Sequence, residues 1–234
     1  NSGSLAFTAS NGDIAITSPL TLTAADINLN ASGDVVTNNQ LTVITDDITS
    51  TSIDGDLTWR SDAPTNASFV AGAGGLTFEQ LTTANSLDVG DGGSGDVVVS
   101  DALLAIIKSN FDSYTFGRSN GGNITNYTAT WDAPVTFLSG GAFTNAATVT
   151  SADDFTASAD NVLLSHAITS SGSLALTAGN GDIAITNPIT LTAADINLNA
   201  SGDVVTNNQL TAITDDITST TIDGDLTWRS DAPT

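Results

Sequence analysis

The chain has no cysteine and no methionine, one histidine and four basic residues in 234. Each scarcity excludes something. Without cysteine there is no disulfide framework, zinc ribbon or thiol nucleophile. With one histidine, multi-histidine metal sites are excluded, and a Ser-His-Asp triad could use only His166. Four Lys and Arg against 26 acids leave a formal net charge of −22. Phosphate backbones and anionic headgroups need a basic surface, so neither nucleic acid nor an anionic membrane is an expected partner. No apolar run approaches the ~18 residues that span a bilayer. The absence of an initial methionine and of a leader points to a fragment, or a processed piece, of something larger.

What is present is an all-β composition. The acids are almost all Asp; Glu79 is the single Glu. Glu, Lys and Arg, which favour surface helices, are scarce, while Thr, Ser, Asn, Gly and Asp are abundant. Apolar residues still make up 40%, enough for a core and too many for a disordered acidic tail.

The strongest signal is repetition. Residues 2–65 recur at 171–234, an offset of 169, with six mild differences: Phe7/Leu176, Ser10/Gly179, Ser18/Asn187, Leu20/Ile189, Val43/Ala212 and Ser52/Thr221. The chain therefore divides into one full unit, residues 1–169, and the start of the next, 170–234. Near-identical copies suit a stalk, filament or adhesin, which gains reach and multivalency, more than an enzyme. Inside the unit a shorter period appears. Gly-Asp pairs fall at 12/13, 33/34 and 55/56. Before and between them run LAFTA, DIAIT, LTLTA, DINLN and LTVIT, which alternate apolar and polar residues as half-buried strands do. Asn-Gly, Ser-Gly-Asp and Ser-Pro punctuate them. Short strands on a ~21-residue coil describe a parallel β-solenoid with coils ~4.8 Å apart. A β-sandwich shares the short strands but needs no such sub-period. Residues 100–111 break the alternation. They are apolar at 103, 104, 106, 107 and 111, behind Ser100 as an N-cap, and predict a helix of two or three turns on one side of the solenoid. Tyr114 to Thr125 then return to strand, turn, strand.

Taken together, the short helix, Phe116-Gly117-Arg118-Ser119, the following Gly-Gly-Asn-Ile-Thr, Asp132-Ala-Pro-Val-Thr136 and the GDIAIT…LTLTAADINLNASGD coils resemble the filamentous-haemagglutinin-like exoproteins and related β-strand-repeat adhesins of bacterial surfaces. The resemblance spans essentially the whole chain. It implies a right-handed parallel β-helix with a helical insertion per unit, and secretion to the extracellular side or cell surface. It also implies a role in adhesion, aggregation or a surface fibre. Partners would be neighbouring repeats, further copies in a fibre, and a host or bacterial surface glycan or receptor.

Candidate sites are few, and no catalytic residue is assigned. His166 sits in a turn-like context with no partner pattern. Asp46-Asp47, Asp153-Asp154 and Asp215-Asp216 are the paired carboxylates a carbohydrate-active β-helix would use. Such an enzyme or binding module, the alternative reading, also needs basic and aromatic neighbours that are scarce here. Asp88, Asp91 and Asp96 lie in a glycine-rich stretch that misses the GGxGxD calcium repeat by one position. Stacked Gly-Asp turns would bring Asp13, Asp34 and Asp56 together along one edge, where Ca²⁺ would relieve their repulsion. Both sets are candidate Ca²⁺ ligands. Thr-x-Thr runs at 21/23, 128/130, 148/150 and 190/192 show no fixed coil spacing, so β-propensity accounts for them better than an ice-binding array. Trp59, Trp131 and Trp228 read as strand-end aromatics packing over the following Pro rather than as a sugar platform.

Overall fold

The computed structural model describes residues 3–50, 53–69, 74–108 and 110–229. It is a β-solenoid of about ten turns. The first coil is β1 (Leu5–Ala9), β2 (Ile14–Ile16) and β3 (Leu20–Thr23). Next come β4 (Asp26–Ala31) with the bent β5 (Val35–Ile44), then β6 (Asp47–Ser50) with β7 (Ile53–Arg60), then β8 (Asn66–Ser68) and β9 (Gly75–Glu79). An insertion follows: β10 (Leu87–Val89), β11 (Val97–Val99) and α1 (Asp101–Lys108). The coils resume with β12 (Ser113–Gly117), β13 (Ile124–Asn126) and β14 (Thr130–Trp131), then β15 (Val135–Leu138), β16 (Ala142–Asn145) and β17 (Val149–Ser151). The coil before the second copy is β18 (Phe155–Ala159), β19 (Asn161–Leu164) and β20 (Ile168–Ser170). The second copy is β21 (Leu174–Ala178), β22 (Ile183–Ile185), β23 (Ile189–Thr192), β24 (Asp195–Ala200), β25 (Val204–Ile213), β26 (Asp216–Ser219) and β27 (Ile222–Arg229).

Strands pair in parallel with strands one coil away, in three columns. One column runs β3, β5, β7, β9, β12, β15, β18, β21, β24 and β26, through Leu20, Leu41, Leu57, Leu76, Tyr114, Val135, Phe155, Leu174, Ile196 and Ile217. Most steps along it stay close to the spacing of the Gly-Asp pairs. The step from Leu41 to Leu57 is shorter because the corner 38–40 faces the single residue Asp56. The step from Leu76 to Tyr114 is longer because it carries β10, β11 and α1. Alternation sends every second side chain inward: β9, β12 and β18 bury Leu76, Phe78, Tyr114, Phe116, Phe155 and Ala157. Where the insertion interrupts the aliphatic stack, aromatic rings fill the core. Trp131 lies 5.5 Å from Phe116 and 5.8 Å from Phe137, which lies 5.0 Å from Phe143.

The helix forms where expected and is shorter than the 100–111 stretch. The Leu103 N–H donates to the Ser100 hydroxyl at 3.3 Å, an N-cap bond. Leu103, Leu104 and Ile107 are buried, and α1 packs against β8 at the end of its column.

The two copies build identical strands but not on the same columns. β1, β4 and β6 belong to a four-stranded sheet that ends at β8. Their counterparts β21, β24 and β26 continue the long column through β18. From Leu5 to Leu174 the chain completes seven whole coils and two further sides of one coil. A unit is therefore not a whole number of turns, and each motif reappears one face round.

Candidate functional site

The Gly-Asp turns have a definite geometry. In the first copy the Gly33 N–H donates to the Gly12 carbonyl at 3.0 Å, and the Asp34 N–H donates to Asp13 Oδ1 at 3.0 Å. The second copy repeats this: Gly202 N–H to Gly181 O and Asp203 N–H to Asp182 Oδ1, each 3.0 Å. The carboxylate of one coil thus takes an amide of the next. A Cβ at Gly33 or Gly202 would collide with that carboxylate, which explains why glycine precedes the acid. Elsewhere the same job falls to Asp154, which accepts the Ser173 N–H at 2.7 Å, to Asn123, which accepts the Ala142 N–H at 2.9 Å, and to Asp56, which accepts the Gly75 N–H at 2.9 Å.

Register separates the three aspartates that the sequence aligned. Ile14, Val35 and Ile53 stack, so Asp13 and Asp34 share a corner. Asp56 follows Gly55 and lies at the next corner, opposite residues 38–40. The dipeptide looks alike because both corners need an acid to clamp the coil beyond.

The glycine-rich stretch closes an unusually tight parallel connection. β10 and β11 pair side by side through the seven residues 90–96, where parallel strands ordinarily need a dozen or more. Asp88 is buried and accepts the Gly95 N–H at 2.6 Å; a Cβ on Gly93 or Gly95 would strike its carboxylate. Asp96 is exposed and accepts from the Ser86 N–H and hydroxyl, each at 2.9 Å. The Ser86 amide bond holds the Asp96 carboxyl below the usual aspartate value. Asp91 is exposed at the loop tip. Among the described residues, no group of three or more His, Cys, Asp or Glu is placed to hold a metal ion.

The other candidates are dispersed. His166 is exposed in the bend between β19 and β20, with Nδ1 3.0 Å from the Ser165 hydroxyl oxygen. Of the paired carboxylates, Asp46 accepts from Ser61 Oγ at 2.5 Å and Asp153 from the Asp154 N–H at 2.8 Å. Asp195 and Asp216 stack in register, as Asp26 and Asp47 do. Trp59 and Trp131 are core residues. Trp59 donates to the Thr45 carbonyl at 2.7 Å and meets Phe78 of the next coil edge-on at 5.3 Å.

Several features were hidden from sequence reasoning. Thr21, Thr42, Thr58, Thr77, Thr115, Thr136 and Thr156 stack in one unbroken ladder. Their separations along the chain are unequal, shortest from Thr42 to Thr58 and longest from Thr77 to Thr115, so loops of different length mask a regular array. Thr42 and Thr58 are only 6% exposed, so the ladder is not an open plane. Asn126 and Asn145 stack fully buried at an inner corner, joined at 3.4 Å and closed by Asn145 Nδ2 to the His166 carbonyl at 3.2 Å. The signal for them was polar residues at inward positions of ITN and FTN.

One further cluster lies under α1. Lys108, the chain's single lysine, donates to the Thr130 carbonyl at 2.5 Å and sits 4.9 Å above the Trp131 ring. Burial lowers its pKa against the opposing pull of Asp132 and Asp101. Tyr114 donates to Asp132 Oδ1 at 2.9 Å, and burial first, then that bond, raises its pKa. The lysine bond fastens the end of the insertion to β14, and the tyrosine bond ties β12 to the corner after β14.

No family model, curated protein or solved structure matches this chain.

Proposed function

We propose that this chain is a stretch of a tandem-repeat stalk or scaffold in a secreted or cell-surface bacterial fibre of the adhesin type. The observation that carries the reading is continuity. β18 of the first unit pairs in parallel with β21 of the second, and the core residues on both sides of that junction are buried. Stacking of this kind adds length by adding units, and each interface needs only its nearest neighbour. The polar exterior and the net charge of −22 favour an extended, soluble rod. The resemblance to filamentous-haemagglutinin-like exoproteins supplies the adhesive role and the surface location. Carboxylates that a glycan-cleaving groove would use are instead engaged in structural bonds, as at Asp46, Asp153 and Asp154.

The test is length. Seven and two-thirds coils at ~4.8 Å predict about 37 Å of rod per unit. Chains of one, two and three units, imaged by electron microscopy, should lengthen by that step at constant width. Beads joined by linkers, or particles that grow in all directions, would overturn the reading.

A further inference from the structure

The first coil is left with its core open. Phe7 and Leu20 are 40% and 38% exposed, and with Ile14, Ile16, Leu22 and Leu29 they line an apolar cleft of about 240 Å³. Among the described residues, β1, β2 and β3 are paired along one edge only. The same residues in the second copy are closed: Leu176, Ile183, Ile185, Leu191 and Leu198 are fully buried. What closes them is the coil β18–β19–β20. Phe155, Ala157 and Ala159 stack on Leu174, Leu176 and Ala178; Val162 and Leu164 on Ile183 and Ile185; Ile168 on Leu191. The molecule thus contains one copy of this surface with its partner and one without.

We infer that the open first coil is a docking socket for a second copy of the Phe155–Ser170 coil, carried by another repeat unit and seated in the register seen at residues 174–192. This rests on the tandem-array reading. The chain's own Phe155–Ser170 coil cannot serve, because its corresponding edge is already taken by β21, β22 and β23. The fit is specific: in the shared register Ala157, a small side chain, lies against Phe7, the one large aromatic among the six differences between copies. The docking also fixes orientation. β18 lies on the long column, whereas β1 begins the four-stranded sheet, so each unit is turned by one face relative to the unit before it. After three units the faces coincide again.

The experiment uses a chain in which residues 1–169 are repeated in front of residue 1. Because the native sequence has no cysteine, introduced pairs report cleanly. Thr156 and Ala175 are register partners, and 175 less 169 is 6. Neighbouring parallel strands at ~4.8 Å fall within disulfide reach. Thr156→Cys in the added unit with Ala6→Cys in the following unit is expected to oxidise as readily as the internal pair Thr156→Cys with Ala175→Cys. Thr156→Cys with Ala15→Cys, one side away, is expected not to oxidise. Failure of the first pair, or formation of the second, overturns the docking. In the chain without cysteines, amide exchange at Ser10 and Thr17 should slow to the rates of their equivalents Gly179 and Thr186, whose N–H groups donate to the Ala159 and Leu164 carbonyls of the preceding coil; no slowing overturns it equally. Rod length tests the array reading separately: a chain that lengthens by unit steps without the crosslink would keep the array and lose this socket.

Discussion

At the residue scale, the Gly-Asp dipeptide is a clamp between coils. Its aspartate accepts an amide of the next coil, and the glycine there leaves room for the carboxylate. The two partners are coupled, so their losses should not add. Asp182→Ala should cost on the order of 1 kcal/mol, the worth of one such bond. Gly202→Ala should cost about as much, by pushing the carboxylate aside. The double variant should cost little more than either, a coupling measurable by denaturant unfolding. Full additivity would mean the clamp does not act as a pair. Position within the stack matters as much as identity. Trp59 is fully buried beneath Phe78, while its repeat equivalent Trp228 is 47% exposed and keeps its bond to the Thr214 carbonyl at 3.0 Å. Trp59→Ala should therefore cost about 3–5 kcal/mol, and Trp228→Ala less than about 2 kcal/mol. Equal losses would contradict the burial assigned to them.

At the scale of elements, the strands and the helix were legible because period-2 alternation and an N-capped apolar stretch are local signals. LAFTA, LTLTA and DINLN became β1, β3 and β4, and 100–111 holds α1. Register was not legible, because it depends on how each loop folds. The threonine ladder shows why: the short loop before Thr58 and the long insertion before Thr115 both return the chain to one column. Asp56 shows the converse, since the same Gly-Asp spelling falls at a different corner. The 86–96 loop offers a test through protons. Asp96 has a lowered pKa in the folded state, so its bond to Ser86 stabilises the loop above the ordinary aspartate value near 4 and is lost as pH falls through the lower folded value. The Ser86 amide resonance should titrate with a midpoint below that of an ordinary aspartate, and Asp96→Asn should abolish the titration. A midpoint at or above the ordinary value would show that the bond is not formed.

For the whole molecule, the long tandem repeat pointed to the fold class; its 169-residue offset divided by a ~21-residue coil would give about eight coils, where the structure has seven and two-thirds. The missing side of a coil arises from the insertion between Leu76 and Tyr114, whose extra residues outweigh the short step from Leu41 to Leu57. Neither changes the strand spacing, so the column stays continuous while the faces rotate. The candidate calcium turns were legible as Gly-Asp and Gly-rich motifs. Their bonding was not, since Asp13 and Asp56 find their partners in the adjoining coil, and Asp88 and Asp96 find theirs across their own loop. A stalk of this kind requires successive units to form one unbroken parallel stack. The most direct measurement is cryo-electron microscopy of a three-unit chain at a resolution that separates strands. The prediction is a single rod with layers ~4.8 Å apart running through both junctions without a break. Separate globules, or sheets whose strands do not stack along the long axis, would contradict it.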